Sequence, residues 1–472
     1  MNTPFGGLPA GQAGIDKLKA VYFIGIGGIG MSAIAKFFYE AGVKVSGYDK
    51  TATALTKELE QMGIPVHYEE NPELAPQQVD LVVYTPAVPA EHRELAYYRN
   101  NGYKVVKRSD VLQLITESSF NICIAGTHGK TTITTMVAHL LRDSGFGCNA
   151  FLGGIAVNYG TNFWSSKKNV CVIEADEYDQ SFLKLCPDIA IITAMDADHL
   201  DIYGTAEAME QAFIDFSGKV RTGGILIRQF GLKRGRELKG DQQLTYSLQN
   251  ESADVYADNI RMMQGGYEFD VVMGDDKIEN VRLNMGGMHN VENTVAAIAA
   301  ASSLEIDNDK IKASVESFRG VKRRFEYIIK NERFVFIDDY AHHPEELRAL
   351  ISGAKALFRQ RKCTVIFQPH LYTRTKDLAD GFAEVLDLAD EIILLPIYPA
   401  RELPVEGVRS EMILERMNSE HKNVKSNDDL MKWLKKDFIR TVNRDFGEVL
   451  ITAGAGDIDM LVEPIKEVLK EI

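Results

Sequence analysis

The chain has 472 residues, of which 45% are hydrophobic and 25% charged, and this length and composition predict a globular protein of about three domains. Its net charge of −14 makes it a poor general binder of polyanions, which excludes unspecific binding to nucleic acid or membrane surfaces as its main role. The five cysteines contain no CxxC pair, and no apolar run reaches the roughly 18–20 residues of a membrane span, so we expect a cytoplasmic protein without membrane insertion.

The first predicted block, residues 1–118, opens with a strand over residues 20–24, a glycine-rich turn and a helix over residues 31–40. A second strand, residues 43–48, ends just before Asp49. A strand, a glycine turn and a helix in this order let the backbone approach a diphosphate at the positive end of the helix dipole. The pattern predicts a site for a nucleotide diphosphate, with a ligand-free turn as the alternative. Its residues are Gly25, Gly27, Gly28, Gly30 and Asp49.

The second block, residues 119–322, begins with a strand over residues 121–125 that leads into a predicted phosphate-binding loop. Ile124 stands where the full GxxxxGK[ST] pattern has its first glycine, so this loop is shorter than usual. We expect Lys130 to neutralise phosphate oxygens and the Thr131 hydroxyl to contact Mg²⁺. The loop and the first residues of the helix after it are Gly126, Thr127, His128, Gly129, Lys130, Thr131 and Thr132.

Two acidic segments follow later strands of the second block. Four carboxylates lie between Glu174 and Asp179, after a strand over residues 170–173, where a parallel sheet could hold Mg²⁺. His199 follows the strand over residues 189–193, and we expect it beside Glu174 if these two strands are neighbours. For either segment alone, a solvated acidic loop is the alternative.

The second block ends with a change of pattern. Residues 240–285 are alternating and turn-rich, which predicts a β-meander, and residues 291–303 predict a helix. Asn290 and Asn293 share one face at the start of this helix, and helix capping is the alternative role for Asn290. Arg324 lies in a basic turn at the junction to the next block, for which a plain solvated turn is the alternative.

The third block, residues 323–472, places polar side chains after its predicted strands. Asp339 and His342 follow the strand over residues 334–337, and His370 and Arg374 follow the strand over residues 364–367. Because the carboxyl ends of parallel strands form the usual ligand edge of an open sheet, these residues predict a ligand face. A metal site at His342 and its neighbour is disfavoured, since no other residue there has metal-ligand spacing.

Taken together, these motifs resemble the Mur ligase family over nearly the whole chain. The shortened phosphate loop resembles that family's ATP signature, and six further residues match its recurring acid, histidine, two asparagines, arginine and aspartate in the same order. These six are Glu174, His199, Asn290, Asn293, Arg324 and Asp339. The resemblance implies an α/β fold of three domains, each built on a mainly parallel sheet: Rossmann-like, P-loop ATPase-like and again Rossmann-like.

Within that family, the glycine turn and the segments 338–344 and 368–375 are similar to the alanine-adding branch. This implies ATP-dependent ligation of L-alanine to the lactyl carboxylate of UDP-N-acetylmuramate through an acyl phosphate. The UDP-sugar is then expected on the first domain, ATP with Mg²⁺ on the central domain, and the amino acid on the third domain, which closes over ATP. A monomer or homodimer is expected.

The resemblance also implies roles for single residues. Thr131 and Glu174 would hold one Mg²⁺ and His199 would help to hold a second, while the two asparagines, the arginine and the aspartate of the ordered set contact the nucleotide or its loop. From the chemistry of amide formation, rather than from the resemblance, we expect either His342 or His370 to take the proton of the attacking amine and the guanidinium of Arg374 to bind the carboxylate of alanine. No carbamylated lysine is predicted, and residues 159–164 match no motif.

Three other functions compete with this interpretation. A relative that attaches a preformed peptide to the same UDP-sugar would share nearly every loop, and only the amine pocket would differ. An NAD-dependent dehydrogenase explains the glycine turn and Asp49 but leaves Lys130 without a role. A nucleotide-sensing scaffold without catalysis is disfavoured by the presence of Lys130, Glu174 and His199 together.

Overall fold

The computed structural model describes residues 17–178, 180–197, 200–400, 402–443 and 445–470. These residues divide into two units. Unit 1 comprises the described residues up to Asn259 together with Phe269–Val281 and Glu292–Phe318. Unit 2 comprises Ile260–Glu268, Arg282–Val291 and the described residues from Arg319 onwards. Both are α/β structures, as predicted.

The first sheet of unit 1 is a five-stranded parallel sheet in the order β3-β2-β1-β4-β5. Its central strand is buried on both faces, which explains the continuous apolar run that predicted it. Its strands are β1 (Ala20–Ile24), β2 (Lys44–Tyr48), β3 (Val66–His67), β4 (Leu81–Tyr84) and β5 (Val105–Lys107). Its helices are α1 (Ile29–Glu40), α2 (Ala54–Gln61), α3 (Arg93–Asn100) and α4 (Arg108–Glu117).

The second sheet has ten strands, and the strand that leads into the phosphate loop lies inside it. Its strands up to the second acidic segment are β6 (Phe120–Ala125), β7 (Asn149–Ala156), β8 (Thr161–Trp164), β9 (Val170–Glu174) and β10 (Ile189–Ile192). Its later strands are β11 (Ile225–Gln229), β12 (Gln242–Ser247), β13 (Val255–Met263), β14 (Gly266–Met273) and β15 (Asp276–Leu283). The spatial order is β15-β14-β13-β12-β11-β10-β6-β9-β7-β8. The helices of this part of the chain are α5 (Lys130–Asp143), α6 (Leu200–Tyr203), α7 (Ala206–Ser217), α8 (Met288–Ser303) and α9 (Asn308–Ser317).

Two features of this sheet bear on the sequence predictions. The strands from β12 to β15 are neighbours in chain order, but β12 pairs with β13 in parallel, so the predicted meander is wrong for this pair. The antiparallel pair of β7 and β8 was not predicted, and it accommodates the segment 159–164 that matches no motif. Paired glycines interrupt the apolar pattern of β7, which explains why periodicity does not reveal this strand.

The third sheet belongs to unit 2 and has six strands in the order β16-β17-β21-β18-β19-β20. All its pairs are parallel except β16 with β17. Its strands are β16 (Glu326–Lys330), β17 (Phe334–Asp339), β18 (Lys362–Phe367), β19 (Glu391–Leu394), β20 (Lys422–Val424) and β21 (Glu448–Ala453). The helices are α10 (Pro344–Leu357), α11 (Tyr372–Asp377), α12 (Ala379–Leu386), α13 (Glu411–Leu414), α14 (Asn427–Trp433), α15 (Ile439–Thr441) and α16 (Asp459–Leu469), with a π-helical turn over Leu434–Phe438.

Apolar packing gives each unit a core of its own. Strand β1 and helix α1 contribute Phe23 and Phe38 to a cluster in unit 1, and β17 with the π-helical turn contributes Phe334 and Phe438 to one in unit 2. Within the described ranges, no helix is both long enough and apolar enough to cross a membrane.

Candidate active site

The phosphate loop of unit 1 has the backbone geometry that its glycines predict. The buried strand β6 ends at Ala125, and Gly126 follows with a φ of +132°. A Cβ at Gly126 would collide with the Thr193 hydroxyl and would lie 2.8 Å from the amide nitrogen of Ala194, so only glycine fits. Gly129 is left-handed with a φ of +78°, and α5 begins at the next residue. The free N–H groups at the start of α5 therefore follow the loop directly, as anion binding requires.

The side chain of Lys130 folds back over this loop. Its ammonium donates hydrogen bonds to the Gly126 carbonyl at 2.7 Å and to Glu177 Oε1 at 2.6 Å. Glu177 is fully buried, and burial raises its pKa while the charge of Lys130 acts in the opposite direction. The sequence places Glu177 in an acidic run, but nothing in that run distinguishes it from its neighbours as the partner of the lysine.

Thr131 and Glu174 meet beside the loop, as predicted for a magnesium site. The Thr131 hydroxyl donates to Glu174 Oε1 at 3.0 Å, and the Gly153 N–H on β7 donates to Glu174 Oε2 at 3.1 Å. A Cβ at Gly153 would overlap the Glu174 carboxylate, so this close approach needs glycine. A hydroxyl and a carboxylate oxygen fit Mg²⁺, which takes few protein ligands and keeps water or phosphate oxygens as the others.

The other carboxylates of the acidic run do not join Glu174. Glu177 binds Lys130, and Asp176 is half-buried with its carboxylate 3.7 Å from Arg108. Asp179 lies outside the described residues. No group of three His, Cys, Asp or Glu side chains that could hold a metal ion occurs in the part of the chain that the structure describes, and Glu174 stays the predicted metal ligand of this run.

The expected neighbourhood of the second acidic segment also needs correction. His199 was expected beside Glu174 if β9 and β10 are neighbours, but β6 lies between these two strands. The two strands therefore flank the phosphate loop from opposite sides. His199 itself lies outside the described residues, and its role as a metal ligand stays a prediction.

The remaining residues of the loop have various environments. Thr127 is buried, its N–H donates to the Ala194 carbonyl at 3.2 Å, and its hydroxyl accepts from the Asp196 N–H at 3.3 Å. Thr132 is buried on α5. The His128 side chain is 72% exposed, with its ring 3.6 Å from the Asp196 carboxylate, so it is open to a ligand.

Of the two predicted asparagines, Asn293 is the one that unit 1 places against the phosphate loop. Its side-chain oxygen lies 2.7 Å from the position of a Cβ at Gly129. Asn290 is buried in the first turn of α8, where its amide donates to the Gly286 carbonyl at 2.7 Å. Because α8 begins at Met288, Asn290 does not cap the helix, and the capping alternative is wrong.

The predicted nucleotide-diphosphate turn lies at the carboxyl end of β1. The N–H of Gly25 donates to the Tyr48 carbonyl at 2.8 Å, and the N–H of Gly27 donates to Asp49 Oδ2 at 2.7 Å. Gly28 precedes the first residue of α1, and Gly30 lies in its first turn. Asp49 therefore braces the glycine turn, whereas the dinucleotide pattern assigns this position to a ribose hydroxyl.

Arg108 is a residue of this turn that the sequence interpretation missed. Its guanidinium lies 3.1 Å from the position of a Cβ at Gly30, and it also faces Asp176. A basic residue directly after β5, at the carboxyl edge of a parallel sheet, was the available signal. Arg108 thus connects the glycine turn with the acidic loop after β9 and supplies positive charge where a diphosphate is expected.

In unit 2, a strained turn presents Arg324. Arg323 and Phe325 on either side have positive φ values of 60° and 48°, which non-glycine residues rarely adopt. Asp339, at the end of β17, accepts N–H hydrogen bonds from Phe325 and Ala341, both at 2.7 Å, and burial raises its pKa. Asp339 therefore fixes this turn, and the Arg324 guanidinium lies 5.6 Å from the centre of the Tyr340 ring.

The predicted amine-binding residues also gather in unit 2. The rings of His342 and His370 are 6.1 Å apart, and His370 stacks on Tyr398 at 5.7 Å. His370 Nδ1 and Arg374 Nη1 are buried without a hydrogen-bond partner among the described residues, as expected of groups that await a ligand. His343 instead caps α10, because its ring nitrogen accepts from the Glu345 N–H.

The lowered pKa values of these two imidazoles favour the neutral form, which can accept a proton. Burial lowers the pKa of His342, and burial followed by the charge of Arg374 lowers the pKa of His370. His342 Nδ1 lies 2.9 Å from the Tyr340 carbonyl, so this nitrogen carries the proton and donates it. His342 Nε2 is then the nitrogen with a free lone pair.

Known protein families match in three consecutive parts of the chain. Residues 20–119 match the model described as the Mur ligase family catalytic domain, residues 124–301 the Mur ligase middle domain, and residues 323–456 the glutamate ligase domain of Mur ligases. Together these segments cover most of the sequence.

Relatives and solved structures agree with these matches. The chain is 47% identical to the UDP-N-acetylmuramate–L-alanine ligase of Phocaeicola vulgatus, over 96% of this chain and 98% of the relative. It is 44% identical to the enzyme of that name from Flavobacterium johnsoniae, over 97% and 99%. The crystal structure of UDP-N-acetylmuramate-alanine ligase MurC from Thermotoga maritima aligns with a TM-score of 0.81 at 29% identity, over 96% and 99%. The chain belongs to the Mur ligase family.

Proposed function

We propose that this protein joins L-alanine to the lactyl carboxylate of UDP-N-acetylmuramate and converts ATP to ADP and phosphate. The observation that carries the proposal is the full-length similarity to ligases of that name, in a chain whose phosphate loop and metal-side carboxylate are intact. Both substrates are small cytoplasmic metabolites in this proposal, and the protein is expected to work in the cytoplasm. The three domains with boundaries near residues 118 and 322 remain part of the proposal.

Activation of the carboxylate is the first problem that the site must solve, because a carboxylate oxygen is a poor leaving group. Transfer of the γ-phosphoryl group of ATP to the lactyl carboxylate would give an acyl phosphate. Lys130 and the N–H groups at the start of α5 would stabilise the negative charge that spreads over the transferred group. Thr131 and Glu174 would hold one Mg²⁺, and His199, by prediction, would help to hold a second. When bound, these ions would lessen the repulsion between the two anionic reactants.

Attack by the amine of alanine is the second step. Only the neutral amine is a nucleophile, so a nearby acceptor must take a proton. His342 is suited to this through Nε2, and His370 is the alternative in the same cluster. Arg374 would bind the carboxylate of alanine through its guanidinium, and loss of phosphate from the tetrahedral intermediate would complete the amide.

The test is the release of phosphate from ATP with Mg²⁺, in the presence or absence of UDP-N-acetylmuramate and L-alanine. We expect release only with both co-substrates, and a loss of at least about 100-fold in Lys130→Ala, because one charged contact to the transferred group is removed. Lys233→Ala is the matched control, since that lysine is 72% exposed and pairs with Glu210 on α7.

Two results would contradict the proposal. Phosphate release that requires a preformed tripeptide instead of L-alanine would identify a peptide-attaching ligase. NAD binding without any coupling to ATP would indicate a dehydrogenase. The mass of the product distinguishes alanine addition from both.

A further inference from the structure

The Lys130 ammonium is held by two hydrogen bonds in a fixed direction. An ammonium has three donors, and here one binds the Gly126 carbonyl at 2.7 Å and one binds Glu177 Oε1 at 2.6 Å. The third donor has no partner among the described residues. The two bonds restrict a side chain that otherwise has considerable rotamer freedom.

Glu177 is built into the protein rather than placed on its surface. Its side chain is fully buried, and the Tyr203 hydroxyl donates to its main-chain carbonyl at 2.6 Å. Its second carboxylate oxygen, Oε2, is buried and has no hydrogen-bond partner in the described part of the chain. A buried carboxylate needs a cation nearby, and Lys130 is the cation in contact with it.

We propose that Glu177 is a positioning residue that fixes the Lys130 ammonium over the phosphate loop and leaves its third N–H for an oxygen of the transferred phosphoryl group. Glu177 acts through Lys130 and does not itself contact ATP. This inference rests on the proposed function, because it assigns Glu177 a part in phosphoryl transfer.

The charge of Glu177 decides which kinetic constant should change. Glu177→Gln keeps an oxygen that can accept a hydrogen bond, but it removes the negative charge that fixes the orientation of the Lys130 ammonium. Removal of a buried negative charge beside the loop also favours the binding of anionic ATP, which offsets any weaker contact in the ground state. The loss should therefore fall on kcat rather than on the KM for ATP.

The experiment compares Glu177→Gln with Glu210→Gln by steady-state phosphate release and thermal melting. Glu210 is a matched control, because its carboxylate is also buried and lies 2.7 Å from a lysine, Lys233, but on α7 outside the loop. We expect kcat to fall about tenfold in Glu177→Gln with the KM for ATP unchanged or lower, and kcat to stay within about twofold in Glu210→Gln. The KM for UDP-N-acetylmuramate should change in neither variant.

A double-mutant cycle tests whether Glu177 acts through Lys130. Lys130→Arg keeps the positive charge but changes its geometry, so Glu177→Gln should slow this variant much less than it slows the wild type. An equal slowing in both backgrounds would overturn the proposal, and so would an unchanged kcat in Glu177→Gln. A lower melting temperature in Glu177→Gln than in Glu210→Gln, with kcat per folded molecule preserved, would reduce Glu177 to a structural role. If the wild type itself releases no phosphate, the proposed function falls, and this inference falls with it.

Discussion

At the scale of single residues, the buried carboxyl group of Asp338 is expected to make the stability of the protein depend on pH. It ends the buried part of β17, where its carboxylate accepts hydrogen bonds from Arg323 Nε at 3.2 Å and from the Thr452 hydroxyl at 2.7 Å. Burial raises its pKa to about 7 against the opposing effect of Arg323. The folded protein therefore retains a proton on Asp338 at pH values where the unfolded chain has released it.

This retention predicts that unit 2 loses stability as pH rises. The stabilising effect is complete below the ordinary carboxyl pKa and is lost between about pH 4 and pH 7, with a slope of at most about 1.4 kcal/mol per pH unit. Thermal melting of Asp338→Asn should lack this slope, whereas Asp428→Asn, exposed on α14, should keep it. Parallel melting curves for wild type and Asp338→Asn across this range would contradict the assignment.

Some residues of the candidate site can be predicted from the sequence and others cannot. Lys130 and Thr131 are recognisable because a phosphate loop needs these residue types at fixed spacing. Glu177 is not recognisable, because its role comes from a contact with a residue 47 positions away. Arg108 follows a predicted strand, but its contact with Asp176 joins the loops of two separate sheets and is not visible in the sequence. Local pattern carries no information on which carboxylate of an acidic run turns inward.

At the scale of elements, the pair β7–β8 holds the helix that follows the glycine turn. Asn162 on β8 is fully buried, and its amide donates to the Ile29 carbonyl at 2.6 Å and to the Ser32 hydroxyl at 3.0 Å, both in the first turn of α1. Its oxygen accepts from Lys36 Nζ at 2.9 Å. The start of α1, where the diphosphate is expected, is thus fixed by a strand of the second sheet.

Asn162→Ala should therefore weaken binding of the UDP-sugar as well as the fold. We expect a loss of about 2–3 kcal/mol in the free energy of unfolding, because buried polar partners are left unpaired, and a several-fold higher KM for UDP-N-acetylmuramate. Asn158→Ala is the control on the same hairpin, since its amide donates to the Ser317 carbonyl. A rise in the KM for ATP alone, measured by phosphate release, would contradict this role.

Some strands can be predicted from the sequence, whereas the order of the strands and the pair β7–β8 cannot. Buried parallel strands such as β1 and β6 are visible as continuous apolar runs, and their bounds were predicted to within a residue. The order of strands is not visible, because it depends on which faces the helices cover, so β6 between β9 and β10 was not foreseen. The pair β7–β8 was missed because glycines break its pattern.

At the scale of the whole molecule, the two units with separate cores predict unfolding in more than one step. Calorimetry should resolve at least two transitions, because multi-domain chains depart from two-state behaviour. The glycine turn lies in unit 1, so uridine diphosphate at about 100 times its Kd should stabilise that unit by about 2.7 kcal/mol and raise one transition only. A single transition with equal calorimetric and van't Hoff enthalpies, or an equal shift of both transitions, would contradict this expectation.

The buried ammonium of Lys36 has a consequence for the ancestry of the chain. It lies on α1 at 2% exposure, and its partners are Glu58 on α2 and Thr161 and Asn162 on β8. In a chimaera that took residues 1–118 from this protein and the next segment from a distant homologue, the lysine could meet a surface without oxygen acceptors. The ion pair with Glu58 would persist, but each buried hydrogen bond lost on β8 costs about 1–3 kcal/mol, a sizeable part of the stability of a typical domain. We therefore expect functional recombinants of such genes to keep Lys36 and its hydrogen-bond partners on β8 from the same parent. Residues 1–118 and the segment that carries β8 would then be inherited together.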